Sequence, residues 1–152
     1  MDNESIEIKP LARRLFMYFA VLDAAAFLFV FLLRRTNRVL SCTPHTVWLI
    51  GLATLFFVTL VSMIMPIVLR TLFMARSIKL KTFDVDKYRH LLLWTIRMPM
   101  SGALAASVAY YFSVPKLHLL TIMLFALYGV YSAIPASKKI DGEIRYFRHR
   151  FP

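Results

Sequence analysis

The chain has 152 residues, 59% of them hydrophobic, with 13 Phe, 8 Met and a formal charge of +11. At this length, a mean hydropathy of +0.63 belongs to the membrane class and leaves room for one domain, with none for a separate catalytic domain. The positive charge does not point to nucleic acid, because the basic residues lie between and beyond apolar runs, where positive-inside bias and anionic headgroups account for them; the single Cys42 excludes an intrachain disulfide and any thiolate-rich metal site.

The first apolar run, residues 15–33 (LFMYFAVLDAAAFLFVFLL), predicts a membrane helix whose one charge is Asp23. It stops at Arg34, Arg35 and Arg38, and a short polar connection leads to the second run. That run, residues 47–69 (VWLIGLATLFFVTLVSMIMPIVL), carries no charge and is long enough to cross a hydrocarbon layer of about 30 Å with some tilt. Trp48 suits the headgroup level at its start. Pro66 near its end removes a backbone hydrogen bond, which predicts a kink or loosened turns and makes it a candidate hinge.

Residues 70–90 form the longest connection and hold six Lys or Arg against Asp84 and Asp86. The helical pattern continues through Leu72, Phe73 and Arg76 and fades at Lys79 and Lys81, so Arg76, Lys79 and Lys81 are candidates to meet anionic lipid. The third run, residues 91–112 (LLLWTIRMPMSGALAASVAYYF), contains Arg97, with Pro99 as a second candidate hinge. Its second half is thin: Gly102 with Ala106, and Ala105 with Ala109, place small residues at the spacing that lets another helix approach closely.

A very short turn then makes the fourth run, residues 117–136 (LHLLTIMLFALYGVYSAIPA), an antiparallel neighbour of the third. Ala126, Gly129 and Ala133 share a stripe on it. The tail, residues 137–152, adds Lys138, Lys139 and Arg145 to the anionic-lipid set. The expected fold is therefore all-α, a single domain of four antiparallel transmembrane helices over residues 1–152 with a basic tail.

The amino-terminal segment, the long connection and the tail together carry 14 of the 19 Lys and Arg, against 4 in the other two connections, which predicts that both termini face the cytoplasm. A bacterial inner membrane or other plasma membrane fits that bias. In this orientation Asp23 lies about 12 Å along its run and Arg97 about 9 Å along its own, counted from the inner edge by the helical rise. Placing either charge in hydrocarbon costs about 2.5 to 3.5 kcal/mol even on the lenient insertion scale. An Asp23–Arg97 ion pair between the first and third spans is the expected arrangement. The alternatives are that Arg97 snorkels to the inner headgroups while Asp23 binds a polar neighbour or is protonated, or that the partner belongs to another chain.

These features suit a noncatalytic membrane subunit or scaffold that assembles with itself or another membrane protein through small-residue faces. The alternative is a small homo-oligomeric ion-coupled transporter or channel with Asp23 as the coupling site. An enzyme is less well supported: His45, His90, His118 and His149 are scattered, and no HExxH, GxSxG or cofactor signature is present. In size and in the acidic residue of its first span the chain resembles the small multidrug transporters in outline. Their pattern has a glutamate in place of Asp23 and no counterpart of Arg97, so no residue role transfers.

Overall fold

The computed structural model describes the backbone of residues 3–36, 42–80 and 84–150, and the side chains of 8–36, 42–80, 84–136 and 140–146. The described residues are helical apart from short connections. α1 runs from Asn3 to Arg35 and passes through Pro10. α2, Pro44–Thr59, continues through a π-helical turn, Leu60–Ile64, into α3, Met65–Leu80. α4 is Val85–Tyr111, α5 Lys116–Ala133 and α6 Ser137–Arg150. Among the described residues four helices, with α2 and α3 counted as one, are long and apolar enough to cross a membrane.

Local chemistry sets the helix ends. Thr43 caps α2 by accepting the Thr46 N–H on its hydroxyl at 3.3 Å, and Pro44 fills a first-turn position where no N–H is needed. Asp84 caps α4 by accepting the Lys87 N–H at 3.2 Å. Ser113 adopts φ 54°, a left-handed conformation that reverses the chain between α4 and α5 in a few residues. Within the π turn the Met65 N–H bonds to the Leu60 carbonyl, one residue further back than in an α-helix. Pro66 follows at once, and its ring would crowd the Ser62 carbonyl in a regular helix.

α4 is the hub. It packs against α1, α2, the π turn, α3 and α5, whereas α1 packs on α4 and, at one end, on α6. α1 and α4 run in the same direction. Ile8 and Ala12 of α1 join Tyr88, Leu92 and Ile96 of α4 and Ile140 and Ile144 of α6 in one buried cluster at the tail end. At the opposite end Val58, Ala106, Ala109, Val114, Ile122 and Ala126 form a second cluster. There Arg34 donates to the Tyr110 carbonyl at 3.0 Å and lies 4.3 Å from the centre of the Tyr110 ring, tying the far ends of α1 and α4 together.

The first helix begins at Asn3, well before the expected 15, and the second runs on to Leu80, well past the expected 69, so both project beyond the apolar runs. The tail is a docked helix. The Tyr88 hydroxyl donates to Glu143 at 2.7 Å, Arg70 lies 3.9 Å from the same carboxylate, and Lys9 pairs with Asp141 at 2.7 Å. Burial of Ile140 and Ile144 holds the inner face of α6, while Arg145 stays exposed.

Candidate functional site: a polar cleft at the π turn

Ser62 lies where three helices meet. Its side chain is 1% exposed, and its Oγ has no hydrogen-bond partner. A Cβ built on Gly129 would sit 2.8 Å from both Ser62 Cβ and Oγ and 3.2 Å from Pro99 Cβ. One built on Gly102 would collide with the same hydroxyl. The glycines therefore allow α4 and α5 to close on the π turn, and Pro99 contributes to this contact from inside a continuous α4. Ala106, Ala109, Ala126 and Ala133 are buried and Ala105 is half-buried, so these small residues are taken up within one chain.

On the tail side of that contact a cleft of about 150 Å³ is lined by Ser62, Met63, Pro66, Ile67, Arg70, Thr95, Tyr128 and Ser132. Its polar groups form a ladder. By helical rise Ser132 lies about 5 Å, and Arg70 about 12 Å, further toward α6 than Ser62. The Thr95 hydroxyl donates to the Leu92 carbonyl at 2.9 Å and Ser132 to the Gly129 carbonyl at 2.8 Å, which leaves both oxygens able to accept. The cleft can thus offer a guanidinium, free serine chemistry and acceptor lone pairs within one polar strip. In the sequence Pro66 marks this region as a candidate hinge, while Ser62, Thr95, Tyr128 and Ser132 are available polar groups of the spans that form no recognisable signature.

The expected ion pair is not formed. Asp23 lies on the α4-facing stripe of α1 that includes Ala12, Phe19, Phe27 and Arg34, and both its carboxylate oxygens are buried without a hydrogen-bond partner. Arg97 is exposed on α4, one residue from the buried Ile96. One position is about 100° of helix, enough to turn Arg97 off the packed stripe although its depth matches that of Asp23.

The basic residues take separate places. Arg76 and Lys79 are exposed near the end of α3, and Arg76 shares an open groove of about 400 Å³ with Leu69, Leu72, Phe73, Lys87, Leu91, Trp94 and Met98. Lys81 and the side chains of Lys138 and Lys139 lie outside the described residues. Asp84 is held below the usual carboxylate range, first by the hydrogen bond from the Lys87 side chain and then by that from its backbone N–H. No group of three or more metal-ligating side chains comes together among the described residues.

Set against known protein families, curated proteins and solved structures, the chain shows no match in any of the three comparisons.

Proposed function

We propose that this chain is a noncatalytic integral membrane subunit or scaffold, with both termini on the cytoplasmic side, that assembles in the bilayer with a second copy of itself. The observation that carries the reading is the pair of unsatisfied intramembrane charges. Asp23 has no donor from its own chain, and Arg97 is exposed at similar depth. A two-fold axis along the membrane normal keeps both residues at their depth and offers each Asp23 the Arg97 of the other copy. Asp23 is half-buried as a residue and its carboxylate oxygens are buried, so the reciprocal pair requires its side chain to rotate out of the α1–α4 seam. The exposed Arg76, Lys79 and Arg145 suit anionic headgroups on the cytoplasmic face.

Charge exchange between copies tests the assembly. In the proposed dimer, Asp23→Arg and Arg97→Asp chains each repel their own kind but complement one another. Co-expression with two different tags should recover the mixed pair, while either variant alone loses self-association. Equal recovery of all combinations would rule out the reciprocal contact.

The buried Asp23 carboxyl also supports a second reading, an ion-coupled transporter or channel. Proteoliposomes that show proton or cation flux with wild-type protein and none with Asp23→Asn would establish it. Absence of flux with assembly intact favours the scaffold.

A further inference from the structure

The cleft beside the π turn has the shape and chemistry of a lipid headgroup site. α4 forms its floor, while α3 and α5 form its walls. Its described lining has one charged side chain, Arg70, at the end toward α6, and one buried polar side chain without a partner, Ser62, at the deep end. The volume of about 150 Å³ is half the roughly 300 Å³ at which sites for whole small molecules begin. That is room for the polar part of a larger molecule whose apolar remainder would lie outside. Ile67 and Tyr128 line the cleft and are 59% and 46% exposed, giving that remainder an apolar edge to lie along.

Arg70 fixes the sign of the ligand. It lies 26 residues into the helix that begins at Pro44, about 39 Å along the axis, beyond the roughly 30 Å of a hydrocarbon core and so at headgroup level. Its contact with Glu143 is long at 3.9 Å, and Glu143 accepts a shorter bond, 2.7 Å, from Tyr88. A guanidinium has five donors in a fork that fits phosphate oxygens, so Arg70 retains capacity for an anion. Deeper in the cleft the Ser62 hydroxyl can donate to a carbonyl or ester oxygen, and Thr95 and Ser132 can accept from ligand hydroxyls.

The geometry points to a stoichiometric binding site in this cleft for the headgroup of an anionic glycerophospholipid, with its phosphate on Arg70 and its ester or hydroxyl groups against Ser62, Thr95 and Ser132. This differs from the diffuse attraction of Arg76, Lys79 and Arg145 for a charged surface, because the cleft admits one headgroup and reads polar groups at two depths. It depends on membrane insertion and is independent of self-association.

The test is lipid retention. Full-length protein is reconstituted in phosphatidylcholine bilayers doped with phosphatidylglycerol, released into mild detergent and weighed by native mass spectrometry. Wild type should retain one phosphatidylglycerol per chain. Arg70→Gln removes charge-assisted bonds and should lower retention about tenfold or more. Arg70→Lys should retain an intermediate amount, and Arg76→Gln with Lys79→Gln should match wild type. Ser132→Leu fills the cleft with Arg70 intact and should also lose the lipid; it carries the test if Arg70→Gln fails to fold by circular dichroism. Undiminished retention in Ser132→Leu, or equal loss in Arg76→Gln with Lys79→Gln, would overturn the site. Displacement of the lipid by inorganic phosphate alone would assign the cleft to a free anion and overturn the lipid assignment.

Discussion

At the scale of single residues, Ser62 sets how closely the bundle closes. Gly102→Ala places a methyl group against Ser62 Oγ, and its next neighbours are Val61 Cγ2 at 3.3 Å and Ser62 Cβ at 3.8 Å. Gly129→Ala meets Ser62 Cβ itself at 2.8 Å. Each variant should lose about 1 to 3 kcal/mol by overpacking, read as a lower melting temperature in detergent. Ser62→Ala removes the hydroxyl but keeps Cβ, so it should restore most of the stability of Gly102→Ala and little of that of Gly129→Ala. Equal rescue of both would mean that the close contact is not at Oγ. The small residues were legible in the sequence because their four-residue spacing is a helix-packing pattern. Their opposite number was not, since a lone serine in an apolar run gives no sign that two glycines face it. Asp23 and Arg97 show the same division: depth follows from counting residues, but azimuth depends on how α4 is rolled against its neighbours.

At the scale of elements, α6 owes its helix to docking. A 14-residue segment with Gly142 inside it is marginal alone, so its contacts decide whether it forms. Tyr88 is 1% exposed, and a hydrogen bond to a charged acceptor contributes about 1.5 to 3 kcal/mol, so Tyr88→Phe should measurably loosen α6. The Lys9–Asp141 pair is half-exposed and contributes at most about 1 kcal/mol, so Lys9→Ala should loosen it less. Amide exchange across Ser137–Arg150 would rank the two; a larger effect from Lys9→Ala would contradict this order. At the start of α4 the acid behaviour follows from Asp84. Its folded carboxyl titrates below the unfolded value of about 3.9, so its contribution is complete above that value and disappears as pH falls through the depressed folded one. Protection of the first-turn amides of α4, taken relative to intrinsic exchange at each pH, should fall over that acid window and be constant from pH 5 to 7. The long helices were legible from the length of their apolar runs, each interrupted by at most one charge. α6 was not, because Ile140 and Ile144 are only two apolar residues in a strongly basic segment, and they acquire meaning only beside Ile8 and Tyr88.

At the scale of the molecule, the bundle is asymmetric. α4 binds every other apolar helix, while among the described residues α1 packs on α4 and α6 and makes no comparable interface with α2, α3 or α5. A face of α1 and the Arg97 face of α4 are thus open to a second copy, and Val108 lies on the latter, 11 residues on and nearly in phase with Arg97. Cysteines placed at Val108 and at Leu28, with Cys42 replaced, should cross-link two copies in membranes. A cysteine at Leu124 on the outer face of α5 should not, and cross-linking there instead would move the interface. The four-helix plan followed from composition and the count of charges, whereas the hub did not: α4 is the least uniformly apolar of the spans, and that mixture is what a helix surrounded by protein requires. The central position of α4 also bears on how the protein is made. The first 80 residues leave the ribosome as two helical segments that share no substantial interface among the described residues, and α4 is the surface on which they later meet. Synthesis at about 5 to 20 residues per second leaves α1 alone in the lipid for several seconds, with Asp23 uncovered and open to whatever inserts beside it. A chain arrested before Val85 should therefore behave as two independent anchors, and its most exposed liability should be the carboxylate that the finished protein buries.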